Sequence, residues 1–155
     1  MSDGVGQVET RREVVFEGDH PLVLDSGAVL EHVEVAYETY GTLNEDGTNA
    51  VFVCHALSGD AHAAGLHGGD DPNRPGWWDN IIGPGRPLDT DRFFVISANV
   101  LGGCKGTTGP SSLDPATGKP YGLRFPHLQV RDLVTVHRAL LEKLGVKKLL
   151  AAIGG

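Results

Sequence analysis

Val51-Phe52-Val53-Cys54 offers no polar residue to either side of a strand, and it breaks at once into His55-Ala56-Leu57-Ser58-Gly59-Asp60-Ala61-His62. A strand that is apolar on both faces must be covered on both, so it belongs inside a sheet with helices on either side. The small and polar residues after it then form a loop at its carboxyl end. In open α/β sheets ligands gather at that edge, because loops leaving neighbouring strands converge there with backbone N–H groups free to bind. The loop after Cys54 is therefore read as half of an active site.

The rest of the chain is read around that strand. Residues 1–12 are polar and without period, which predicts a disordered terminus with order beginning at Glu13. Val14-Val15-Phe16 predicts a strand, and Leu22-Val23-Leu24 with Ala28-Val29-Leu30 a hairpin turned by Asp25-Ser26-Gly27. From 32 to 39 the alternation sets Val33, Val35, Tyr37 and Thr39 on a core face and His32, Glu34, Ala36 and Glu38 mostly towards solvent, as in an antiparallel strand. Residues 63–91 have no period and form a long loop around Trp77 and Trp78, which either lines a site or is a surface excursion. Residues 92–100 read as a second buried strand. Pro110 to Pro126 reads as loop, with a turn at 114–118.

From Leu128 the positions Val130, Leu133, Val134, Leu140, Leu141 and Leu144 follow helical spacing, with Arg131, Asp132, Arg138, Glu142 and Lys143 left for solvent and Gly145 ending the helix. His137 falls on the apolar stripe, where a packed imidazole is the ordinary reading. Leu149 to Ile153 is a third buried strand, and strand–helix–strand order implies a right-handed crossover into a parallel sheet. The expected class is α/β, with antiparallel N-terminal strands leading into parallel central ones. One domain is expected over residues 13–155, with a sheet left incomplete where the sequence stops at Gly154-Gly155.

Charge and cysteine use narrow the function classes. A formal charge of -7 prepares no surface for nucleic acid or an anionic membrane, which leaves small molecules or protein partners. Two cysteines, a start without a basic region before an apolar core, and no apolar run near the roughly 20 residues of a membrane span fit a reducing cytoplasm. Cys54, closing an apolar strand with no base beside it, is expected to be buried and unreactive.

Three patterns could carry chemistry. His55, His62 and His67, with Asp60, Asp70 and Asp71 nearby, match no zinc spacing, so no metal is expected. Gly102-Gly103-Cys104-Lys105-Gly106-Thr107-Thr108 follows a strand, but its Lys precedes the last Gly and no helix pattern follows, so it is not a P-loop. It is read as site-lining, with a non-enzymatic module binding an anion or CoA through Lys105 as the alternative. Lastly, a buried strand ending in Gly154-Gly155 is how a nucleophile elbow begins, although a C-cap fits equally. The partner of such an elbow is the loop after an earlier central strand, which supplies a backbone N–H to the oxyanion.

Longer blocks bring a resemblance. The run 55–62, Gly76-Trp77-Trp78-Asp79, Ile82-Gly83-Pro84-Gly85, the stretch 88–95, Asn99-Val100-Leu101-Gly102-Gly103-Cys104, Gly109-Pro110-Ser111-Ser112 and the stretch 115–122 together resemble the N-terminal portion of the homoserine O-acetyltransferase family, in order, from about Leu22 onward. The resemblance implies an α/β-hydrolase fold and a Ser-Asp-His triad whose elbow reads Gly-Gly-Ser-Met-Gly-Gly. Gly154 and Gly155 match its first two positions, so the nucleophile would follow Gly155 and is absent here. The triad Asp and His lie downstream in the family, so none of His55, His62, His67, His127 and His137 is the triad His. What carries over is Leu57, whose backbone N–H resembles the family's oxyanion donor, with Ser58 beside it lining the substrate pocket.

The implied activity of the full-length enzyme is acyl transfer from acetyl-CoA to the hydroxyl of L-homoserine in methionine biosynthesis. Acetyl-CoA is then a co-substrate, no resident cofactor is needed, and a homodimer is implied. A succinyl-CoA donor or a serine acceptor remains open. The chain alone is expected to be inactive and poorly stable, lacking the nucleophile and ending on an apolar strand.

Overall fold

The computed structural model describes residues 4–154. Its strands are β1 (Arg11–Phe16), β2 (Leu22–Val23), β3 (Val29–Leu30), β4 (Val33–Tyr40), β5 (Ala50–Cys54), β6 (Ile82–Gly83), β7 (Leu88–Asp89), β8 (Phe94–Ala98), β9 (Leu113–Asp114), β10 (Lys119–Pro120) and β11 (Leu149–Gly154). One α-helix, α1 (Val130–Lys143), and a turn of 3-10 helix at Gly122–Arg124 complete the described elements. The main sheet has the order β1-β4-β8-β5-β11. β4 runs antiparallel to β8, whereas β5 is parallel to both β8 and β11. The apolar run thus takes the interior position its pattern demands, and antiparallel strands lead into parallel ones as expected.

The described chain gathers into two compact units. One holds residues 4–11, 37–98 and 145–154, the other residues 12–36 and 99–144.

In the first unit Tyr40, Val53, Ala63, Ala64, Ile82 and Val95 form a buried cluster, with Val5, Val8 and Trp78 packed against it. Those two valines explain the first departure from expectation. The supposedly disordered stretch is pinned in its described part, Val8 N–H donating to Leu66 O at 2.9 Å and Leu66 N–H to Gly6 O at 3.0 Å. A second departure is Cys54, which is exposed because it is the residue at which β5 leaves the core. A third is β11, where Leu150 and Ile153 are 55% and 37% exposed, since no described element covers that part of the strand. The face of β4 expected to be wet is closed at Glu38, which is 1% exposed.

The second unit contains the hairpin of β2 and β3, paired Leu22↔Leu30 and Val23↔Val29. A second, short hairpin of β9 and β10 forms within the predicted loop 110–126. On α1 the buried positions are Asp132, Val136 and Leu140, spaced four apart, while Val130 and Val134 stand 76% and 58% exposed. Asp132, expected in solvent, is buried because it accepts from two backbone N–H groups, Asp25 at 2.9 Å and Gln129 at 2.7 Å. It caps the helix and ties down the β2–β3 turn in one move. Gly145 follows the helix at φ +82°, the left-handed backbone expected after a C-cap. Ala36, also expected to face solvent, is buried, its N–H donating to Thr107 Oγ1 at 3.0 Å.

Candidate functional site

β5 and β11 run side by side with Gly154 opposite Cys54. A Cβ on Gly154 would lie 3.2 Å from Cys54 Cβ, so a glycine lets the two strand ends approach closely. β11 therefore ends at the same edge of the sheet at which residues 55–59 leave β5. Gly155, the second glycine of the expected elbow, lies outside the described residues.

Residues 55–59 make a tight turn closed by Gly59 N–H donating to Ala56 O at 2.9 Å, with His55 Nδ1 2.6 Å from the same carbonyl. The His55 side chain lies over Gly59, where a Cβ would come within 2.7 Å of the His55 Cβ. Leu57 is at the crest with its side chain fully exposed. Among the described residues, neither its N–H nor that of Ser58 donates to any acceptor. Backbone donors at strand ends normally find a partner, so free ones at the carboxyl edge of parallel strands are available to an anion. Ser58 lines a cavity of about 280 Å³ together with His55, Ala56, Gly59, Asp60 and the two tryptophans. Leu57 is not on the cavity wall.

The long loop does line this site. Trp77 N–H donates to His62 O at 3.2 Å, Trp78 N–H to Ala63 O at 2.8 Å, and the Trp77 indole N–H to Asp60 O at 3.2 Å. Gly76 is what permits the crossing, since a Cβ there would sit 2.2 Å from Ala64 N.

Of the histidines and aspartates singled out in the sequence, the structure brings His62 and His67 together, and on a residue that sequence reasoning left in solvent. Glu38 Oε1 accepts from Thr10 Oγ1 at 2.8 Å and lies 2.8 Å from His67 Nε2. Its Oε2 accepts from Tyr40 Oη at 2.7 Å and lies 3.1 Å from His62 Nδ1. The imidazoles lie against each other at a tilt of 36°, with centroids 3.9 Å apart. Asp60 caps its own loop by accepting from His62 N–H at 3.0 Å, Asp71 accepts from Asn73 N–H, and Asp70 from His67 N–H. His55 stays with the turn.

The ligating atoms of Glu38, His62 and His67 all fall within 4.8 Å of one another, close enough to meet at one cation. Yet the carboxylate has about four acceptor positions, and four neighbours already use them, so an ion would have to displace two. Nor is His62 a general base in waiting, because its Nε2 is buried and has, among the described residues, no partner from which to take a proton. Burial first, and the neighbouring Glu38 next, push the Tyr40 phenol far above its ordinary pKa, so it stays a proton donor. Burial likewise raises the Cys54 thiol.

The Gly102–Thr108 loop belongs to the second unit. Thr107 Oγ1 donates to Asn99 O at 2.8 Å and accepts from Ala36, and Thr108 Oγ1 accepts from Glu34 N–H at 2.9 Å. Both threonines are buried in bonding β4.

No family model matches the chain. Among solved structures, homoserine O-acetyltransferase from Bacillus anthracis matches with a TM-score of 0.86 at 33% identity, over 95% of this chain and 39% of that one. The class of protein is thereby given: the chain has part of an α/β-hydrolase fold. In sequence it is 62% identical over 155 residues to the homoserine O-succinyltransferase of Nocardioides sp., covering all of this chain and 42% of that protein. It is 63% identical over 135 residues to the homoserine O-acetyltransferase of Methanosphaerula palustris, covering 87% of this chain and 27% of that protein. The chain belongs to the homoserine O-acyltransferase family, and it spans less than half the length of these relatives.

Proposed function

We propose that the protein carrying this chain transfers an acyl group from acyl-CoA to the hydroxyl of L-homoserine, and that the turn after β5 supplies the oxyanion donor. The observation that supports this most is the Leu57 N–H, unengaged among the described residues, beside the carboxyl ends of β5 and β11. A Ser after Gly155 would attack the thioester carbonyl, and the tetrahedral oxyanion would be held by Leu57 N–H while the C–S bond breaks and CoA leaves as the thiol. The homoserine hydroxyl would then give its proton to a histidine outside this chain and attack the acyl-serine, which releases O-acylhomoserine and restores the Ser.

Two relatives of almost equal identity bear acetyl and succinyl names, so the donor is proposed as a short acyl-CoA, with acetyl-CoA as the first to test. The same proposal carries a cytoplasmic place in methionine biosynthesis, no resident cofactor, and a homodimer. Anion binding by the Gly102–Gly106 loop is disfavoured, because Thr107 and Thr108 are engaged with β4.

The test is a pair of variants in the whole protein. Leu57→Pro deletes the N–H and should lower homoserine-dependent CoA release by about 10²–10³. Leu57→Met alters only an exposed side chain and should be silent. Normal turnover in a folded Leu57→Pro protein would remove the assignment.

A further inference from the structure

The turn that bears the free N–H groups has one strong attachment that does not belong to the site itself. Upstream it is fixed by β5, and downstream the chain must be held at 61–64 or the crest could rotate. Tyr40, 2% exposed, does that holding. Its Oη accepts from Ala63 N–H at 2.9 Å and from Ala64 N–H at 3.1 Å, and it donates to Glu38 Oε2 at 2.7 Å. A phenol has one proton to give and room for two donors, so this oxygen is fully used. Glu38 is fixed in turn by Thr10 and by the neighbouring His62 and His67. Between clamp and crest there is little slack, since Asp60 Oδ1 accepts from His62 N–H, Asp60 O from the Trp77 indole, and Ala56 O from Gly59 N–H.

We propose that Tyr40, oriented by Glu38, is a positioning residue for the Leu57 oxyanion donor. Neither side chain lines the cavity, and both act through the backbone of the turn. The inference rests on the acyl-transfer reading above. A donor displaced by a fraction of an ångström from the developing charge loses much of its effect, so the clamp should be felt in the chemical step.

Tyr40→Phe in the whole protein removes the oxygen and keeps the ring. We expect kcat to fall about tenfold to a hundredfold, with the KM for acyl-CoA within about twofold of the parent. In a Leu57→Pro background, where the donor is already gone, the same change should cost almost nothing further in kcat. Asn49→Ala is the stability control. Asn49 precedes β5 at its amino end and also makes three bonds, accepting from Asn44 N–H and donating to Thr42 O and Arg92 O. It should lower the melting temperature and leave kcat alone.

If Tyr40→Phe does not fold, Glu38→Gln takes its place, since it leaves one oxygen for the Tyr40 hydroxyl and should give a smaller loss of the same kind. Equal losses in both backgrounds, or a kcat that tracks melting temperature across Tyr40 and Asn49 variants, would overturn the proposal. Amide hydrogen exchange separates it from the activity assignment. Tyr40→Phe should speed exchange in peptides spanning 55–64, and unchanged exchange there sinks the positioning role whatever the turnover. Faster exchange together with a fully active Leu57→Pro protein overturns the proposal through the acyl-transfer reading on which it rests.

Discussion

The Glu38 cluster and the turn at 55–59 are joined by two residues of chain, Asp60 and Ala61, and they treat polar groups in opposite ways. Around Glu38 every oxygen lone pair has a neighbour, the carboxylate is 1% exposed, and four side chains from separate stretches converge on it. On the turn, two consecutive N–H groups have no acceptor among the described residues, and one of them belongs to a fully exposed leucine. A satisfied buried network holds backbone in one place, whereas unsatisfied donors held rigidly are free to bind something else. The contrast separates the part of this unit that makes structure from the part offered to a ligand.

The largest effect that could break this contrast is on the cluster. Glu38→Ala leaves Thr10, Tyr40 and the two imidazoles without their shared acceptor, and should destabilise the protein by about 3–5 kcal/mol in a urea melt. A loss below about 1 kcal/mol would mean the cluster is incidental. The turn should respond more mildly. Gly59→Ala forces a Cβ to within 2.7 Å of the His55 Cβ, and the accommodation should cost about 1–3 kcal/mol. Its damage to turnover should exceed that of a variant of equal stability elsewhere, and failing that the turn is no more special than any other.

The smallest effect concerns Cys54, at the foot of the turn. Exposed as it is, it should label with a thiol reagent in the native protein. Burial holds its thiol above the ordinary value, so less thiolate is present near neutrality and the rate should still climb at alkaline pH where an ordinary thiol has levelled off. A Cys54 thiol that never labels below the unfolding transition would place the strand end inside the core and undo the geometry of the edge.

Much of the framework was legible in the residues. The double-sided apolar run of β5, the spacing of α1 and its terminal Gly145, and the hairpin turn at 25–27 each follow from local periodicity and turn chemistry. Leu57 and Ser58 were reached through the resemblance, and the structure adds the free N–H groups. Glu38 was missed because period-2 alternation registers polarity but not whether a polar residue will find partners. Its signal was a Glu and a Tyr two apart on one strand and two histidines on the loop after the following strand, which becomes meaningful only when that loop folds back. Asp132 was missed for the same reason, since a carboxylate on a helix looks solvent-facing until a remote backbone N–H is brought to it.

By itself, then, the sequence determined the long strands, the helix and the turns beside them, because those depend on side-chain spacing and on where glycine allows the chain to bend. The two-residue strands within 63–91 and 110–126 left no period to read. Only the tertiary structure decided which polar residues are buried. Burying a carboxylate is favourable only when several donors converge on it, and the donors around Glu38 come from Thr10, Tyr40, His62 and His67. No window of local sequence contains that convergence. It exists because the N-terminal stretch, β4 and the loop after β5 meet in space.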